Sequence, residues 1–216
     1  MNKLSSLALA LGFIATVVAV NTGCSSAPAA GPERGEYLFT NYCAPCHTPS
    51  GIGKPEVAAP AIAGLPMWYV QRQLTNYRQD LRGYHFDDIE GMRMKPMAMT
   101  LMSDNDVAIV AEYVSLLKAG QPAGSLDGDA ARGEKLYTEK LCITCHQADG
   151  KGNEALNAPP LTQTHDWYLV TQLKKFKGGI RGAKDAQGGT MLPMASALEE
   201  QDMKDIAAYV LTLRGK

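Results

Sequence analysis

Two long stretches of this 216-residue chain repeat each other at a fixed offset, which confines the fold to a pair of like domains. His47 pairs with His146, Gly51 with Gly150, Gly53 with Gly152, Pro60 with Pro159, Trp68-Tyr69 with Trp167-Tyr168, and Gln73-Leu74 with Gln172-Leu173, all 99 residues apart. Arg34-Gly35-Glu36 upstream matches Arg132-Gly133-Glu134, and Ala111-Glu112-Tyr113-Val114 downstream matches Ala207-Ala208-Tyr209-Val210; the shifted offsets imply small insertions. Such self-similarity marks an internal duplication. Glycine and proline interrupt any helix over 119–126, so the copies are expected at 33–118 and 127–216 with that segment as linker. At this size a side-chain core alone is marginally stabilising, and each copy needs a further apolar centre.

Helical spacing runs throughout. Val107, Val110, Ala111, Val114 and Leu117 follow Ser103-Asp104, and Met203, Ile206, Ala207, Val210 and Leu213 follow Glu199-Glu200, so each copy is predicted to end in an amphipathic helix. A first helix is predicted over about 33–41 in one copy and 129–140 in the other, and a middle helix from each Trp-Tyr pair. No useful alternating strand pattern appears, and the expected class is all-α.

Each first helix runs into the same pentapeptide pattern, Cys43-Ala-Pro-Cys46-His47 and Cys142-Ile-Thr-Cys145-His146. Two thiols separated by two residues reach the two vinyl groups of one porphyrin, and the next residue's imidazole then lies under the iron. C-x-x-C-H is therefore the attachment signature of covalent haem c, here two per chain, with all four cysteines as attachment points and His47 and His146 as iron ligands. A zinc knuckle or a redox dithiol would leave the histidine unexplained in both copies.

The fifth cysteine, Cys24, stands at the other end of the argument. Residues 1–23 open with Lys3 and continue as 17 uncharged residues from Leu4 to Val20, an export signal at the lower limit of what spans a bilayer. Export fits the motifs, because c-type haem is attached outside the cytoplasm. Cys24 follows Gly23 in a pattern resembling a bacterial lipoprotein cleavage site, although Asn21 stands where an aliphatic residue is usual. Lipidation of Cys24 would leave a periplasmic chain tethered by a flexible leader, 24–32, of small residues and proline. The formal charge of −1 argues against nucleic acid as partner.

A haem iron held by one histidine leaves its sixth position to decide between carrier and small-molecule chemistry. Both copies place M-x-P-M in the matching segment, Met94-Lys95-Pro96-Met97 and Met191-Leu192-Pro193-Met194. From about Glu33 to Arg214, the haem motif, proline-containing loop, methionine loop and closing Ala-x-Tyr helix resemble the class I cytochromes c. The tandem arrangement is similar to dihaem cytochromes of the c-four type.

The resemblance implies two class I domains, each wrapped around one covalent haem c. It implies a ligand methionine about eleven residues before the acidic residue of the last helix. Counted from Asp202 this is Met191; counted from Asp106 it is Lys95, so an inserted residue must be allowed for and Met94 matches. Met92, Met97, Met99 and Met102 stay open as alternatives. The resemblance also gives Pro60 and Pro159 the role of accepting a hydrogen bond from the ligand histidine through their carbonyls. The implied function is one-electron transfer, without turnover, between a membrane dehydrogenase or quinol-oxidising complex and a terminal oxidase or reductase. The rivals are a dihaem peroxidase or gas-binding protein and a permanent subunit of a larger complex.

Other residues take plainer readings. His85 and His165 lack repeat partners and read as surface or polar-loop histidines, and Trp68, Trp167, Tyr113 and Tyr209 as packing residues. The crowded methionines with His85 could supply soft ligands for copper(I), but packing plus one iron ligand explains them more simply. Residues 174–184 carry five positive charges and no negative one, whereas 80–90 is acidic. Both are read as solvated loops, or the basic one as a docking site for an acidic partner.

Overall fold

The computed structural model describes residues 27–215; the export signal and Cys24 lie outside the described residues. The chain is all-helical, and among the described residues β-structure is limited to two equivalent isolated bridges, Lys54 to Ala59 and Asn153 to Ala158. In the first domain α1 (Pro32–Leu38) continues through a π-helical turn (Phe39–Cys43) into α2 (Ala44–His47), followed by α3 (Met67–Arg78), α4 (Ile89–Met99) and α5 (Asp104–Leu116). The second contains α6 (Ala130–Glu139), α7 (Cys142–His146), α8 (Asp166–Lys177), α9 (Ala186–Gly189), α10 (Met191–Ser196) and α11 (Glu200–Thr212).

Local chemistry sets the starts of the closing helices. The Ser103 hydroxyl accepts the Asp106 N–H at 3.1 Å at the head of α5. At α11 a capping box forms, in which the Glu199 N–H donates to Asp202 Oδ2 at 2.9 Å. These helices cross the first helix of their own domain, α1 on α5 and α6 on α11. Glycine permits the approach: a Cβ on Gly35 would lie 3.0 Å from Ile109, and one on Gly133 would overlap the Asp205 carbonyl. Tyr113 packs on Phe39 and Tyr209 on Tyr137, with centroids 5.2 and 5.5 Å apart, as expected of packing residues. Arg34 clamps the first crossing through Asp106, and Arg132 the second through Asp202 and Asp205.

The domains meet through α3, α8 and the segments that follow them. Arg82 donates to Gln73 of its own domain at 2.9 Å and to Tyr168 and Gln172 of the other at 2.9 and 3.2 Å. Arg181 mirrors it, donating to Gln172 at 2.8 Å and across to Tyr69 and Gln73 at 3.2 and 3.1 Å. Each guanidinium also lies 4.7 Å from an aromatic centroid of its own domain, Tyr77 or Phe176. The contact is thus reciprocal, like the isologous interface of a two-fold dimer.

Between the domains the chain is held down. The Asp166 carboxylate accepts the Leu126 N–H at 2.8 Å and the Ser125 hydroxyl at 2.9 Å, and Arg214 donates to the carbonyls of Pro122 and Thr164.

Candidate haem sites

Each Cys-x-x-Cys-His segment is a short helix at the end of its domain's first helix. The first domain reaches it through the π-helical turn; in the second, Leu141 takes a left-handed φ of 59° and α7 starts afresh. The first cysteine of each motif, Cys43 or Cys142, is half-buried, and Cys46 and Cys145 are exposed. Burial pushes the Cys43 thiol up to about 12 and that of Cys142 to about 11.

His47 and His146 are buried, and their Nδ1–H groups donate to the carbonyls of Pro60 at 2.8 Å and Pro159 at 2.9 Å. A carbonyl only accepts, so Nδ1 carries the proton and Nε2 keeps its lone pair. Burial lowers both imidazole pKa values, which holds the rings neutral. Gly53 and Gly152 shape the loops: at φ 82° and 77° their N–H groups donate to the His47 and His146 carbonyls at 2.9 and 3.0 Å. A Cβ on Gly53 would run into the backbone of Ala59 and Pro60.

In the first domain a deep cleft opens beside His47, walled by Leu65, Val70, Leu74 and Val110 and bordered by Met94. Its polar lining comes from Arg82, from Tyr168, Gln172 and Lys175 of the second domain, and from Asp88 and Glu90, which pair with Lys175. The Arg82 Nε is buried without a protein partner. A largely apolar cleft lined by one neutral imidazole, both cysteines of the motif and the Arg82 Nε–H, the one donor of that guanidinium without a protein partner, fits a haem with its propionates. Sequence reasoning missed this arginine, although Arg82 and Arg181 stand at the same 99-residue offset as their neighbours.

The methionine segments are not the loops expected. Met94 lies inside α4 and Met191 opens α10, because Asp88 caps α4 by accepting the Gly91 N–H, and Pro193 falls in the first turn of α10, where the backbone N–H has no intrahelical partner. Met94 is half-buried against the core of its domain. Met92, Met97, Met99 and Met102 are exposed, although Met97 also borders the cleft. Met191 is half-buried on a helix packed against α8.

Two expectations need correction. His165 is a buried interdomain residue rather than a surface one: its Nδ1 accepts the Ala61 N–H at 3.1 Å. The basic and acidic segments do not face solvent separately but meet. Lys175 is 7% exposed and lies 2.5 Å from both Asp88 and Glu90, while Lys184 pairs with Asp80 and lies 4.1 Å from the Tyr84 ring centroid. Their opposite signs serve contact between the domains. His85 stays at the surface, stacked on Phe86 with 4.5 Å between centroids.

Two all-helical domains, each with a Cys-x-x-Cys-His motif and a buried neutral imidazole, define a protein that carries two covalent haem c groups and transfers electrons. The chain belongs to the cytochrome c family, whose model matches residues 32–118 and 130–214, and is a tandem dihaem member of the class I, c-four type. Cytochrome c4 of Azotobacter vinelandii is 31% identical over 78% of this chain and 82% of its own length. The cbb3-type cytochrome c oxidase subunit FixP of Bradyrhizobium diazoefficiens is 28% identical over 84% of this chain, which spans only 61% of that subunit. The structure of reduced recombinant cytochrome c4 from Pseudomonas stutzeri matches with a TM-score of 0.65 at 28% identity, over 85% of this chain and 98% of that one.

Proposed function

We propose that the chain is a periplasmic shuttle between a membrane dehydrogenase or quinol-oxidising complex and a terminal oxidase or reductase, with His47 and Met94 holding one iron and His146 and Met191 the other. The observation that carries this reading is the pair of neutral, carbonyl-anchored imidazoles, one in each copy, each with a half-buried methionine in the equivalent later segment. Met94 is favoured over its neighbours because, of the five methionines in 92–102, it is the one packed against the core. When bound, each haem supplies an iron that accepts and releases one electron. Thioether ligation favours the reduced metal and suits the high-potential end of a respiratory chain. Similarity to an oxidase subunit supports an oxidase as acceptor. Cys24, lipidated after removal of residues 1–23, would keep the shuttle at the membrane.

The test is the methionine-to-iron charge-transfer band of the oxidised protein. Met94→Ala and Met191→Ala should each remove half of it; an undiminished band in Met94→Ala would move the ligand to a neighbouring methionine. The reduced protein should resist carbon monoxide, and rapid binding at one haem per chain would favour a peroxidase or gas-binding role. Cys24→Ser should move the holoprotein from the membrane to the soluble fraction.

A further inference from the structure

One peptide group joins the first haem site to the second domain. Its carbonyl, from Pro60, accepts the His47 Nδ1–H at 2.8 Å, and its amide, the N–H of Ala61, donates to His165 Nδ1 at 3.1 Å. His165 is 6% exposed, precedes α8 as its N-cap residue, and packs against Trp167 with ring centroids 5.2 Å apart. An N–H can only donate, so His165 Nδ1 offers a lone pair and the ring is neutral. Burial favours that state, and so does Arg214, against the opposing pull of Asp166.

Hydrogen bonds in series polarise one another. An acceptor on the amide side draws charge through the peptide, makes the Pro60 oxygen more negative, and strengthens its hold on the His47 proton. The imidazole then becomes more electron-rich at Nε2, as outer partners of metal-bound histidines generally achieve. The second domain lacks this device. Pro159 accepts from His146 at 2.9 Å, but the following residue is Pro160, whose nitrogen carries no hydrogen.

We infer that His165 is a positioning residue for the haem ligand of the opposite domain: by accepting the Ala61 N–H it strengthens electron donation by His47 and lowers the reduction potential of the first haem alone. The inference rests on the reading of His47 as an iron ligand. It also makes the potential of one domain depend on how the other is docked, since separating the domains breaks the relay.

The test is potentiometric titration of the two-haem protein. His165→Leu removes the acceptor, and Ala61→Pro removes the donor by copying the residue of the second domain. Each should raise one of the two potentials by the same shift and leave the other unmoved. The double variant should shift no further, because both changes break one link. His165→Asn, which places an oxygen near the lost nitrogen, should restore most of the wild-type value. Unmoved potentials in both single variants, equal shifts of both haems, or additive shifts in the double variant would overturn the inference. His47→Ala separates the two ideas. A histidine–methionine spectrum retained at the first haem would refute the ligand assignment, whereas its loss beside unmoved potentials in the His165 and Ala61 variants would refute only the relay.

Discussion

The Asp88–Lys175 and Asp185–Asn76 contacts occupy equivalent places in the two halves of the interface, yet they differ in kind. On one side a buried ammonium lies 2.5 Å from Asp88 and from Glu90; on the other an amide donates to Asp185 at 2.8 Å. Both aspartates cap the helix that follows, Asp88 at α4 and Asp185 at α9. The same backbone frame therefore accepts a charged or a neutral donor at one position. The difference shows that duplication supplied the geometry of this interface, while single residues set how strongly each half depends on it.

The largest expected effect comes from removing the charge. Lys175→Met should cost about 3–5 kcal/mol, because Asp88 stays buried without its counter-ion. Asn76→Ala should cost about 1–2 kcal/mol, the usual loss for one hydrogen bond whose acceptor is partly solvated. Guanidinium unfolding of the holoprotein measures both, and equal costs would break the comparison.

A smaller contrast lies at the helix crossings. Gly133→Ala drives a methyl into overlap with the Asp205 carbonyl oxygen and should cost about 3 kcal/mol, whereas Gly35→Ala meets the Ile109 side chain and carbonyl only at 3.0 Å and should cost about 1 kcal/mol. Thermal melts that follow each domain would sharpen or erase the difference.

The smallest effect concerns acid. The Arg34 hydrogen bond holds the Asp106 carboxyl below its usual range; at Asp202 the Glu199 N–H, and then Arg132, do the same. Burial pushes Asp205 up, but the Asp129 N–H, Gln201 and Arg132 outweigh it and leave that carboxyl low as well. Carboxyls depressed in the folded state contribute stability that is present above the unfolded value and lost as pH falls through the folded one. Below about pH 4 the second crossing, with two such carboxyls, should loosen before the first, with one. Amide exchange in α6 and α1 would show the order.

Much of this was legible in the sequence. The haem motifs, the duplication and the closing helices are local patterns, and Ser103 and Asp202 announce where those helices begin. The methionine helices were hidden because Pro96 stands inside α4, at a place where proline removes a backbone donor and usually signals a break. The paired arginines shared the offset of their neighbours but were read as parts of charged stretches. His165 reads as a surface or polar-loop histidine in the sequence because its partner is a backbone N–H 104 residues away, and only packing of the domains brings the two together.

The reciprocity of Arg82 and Arg181 also decides which surfaces of the pair stay open. A head-to-tail contact leaves one face open at each end and invites a third unit, then a fourth. Here each domain spends the same face on the other, so this face offers no open end to a further copy. The α3 and α8 faces are thereby taken out of play, and traffic with other proteins is directed to the outward sides of the pair.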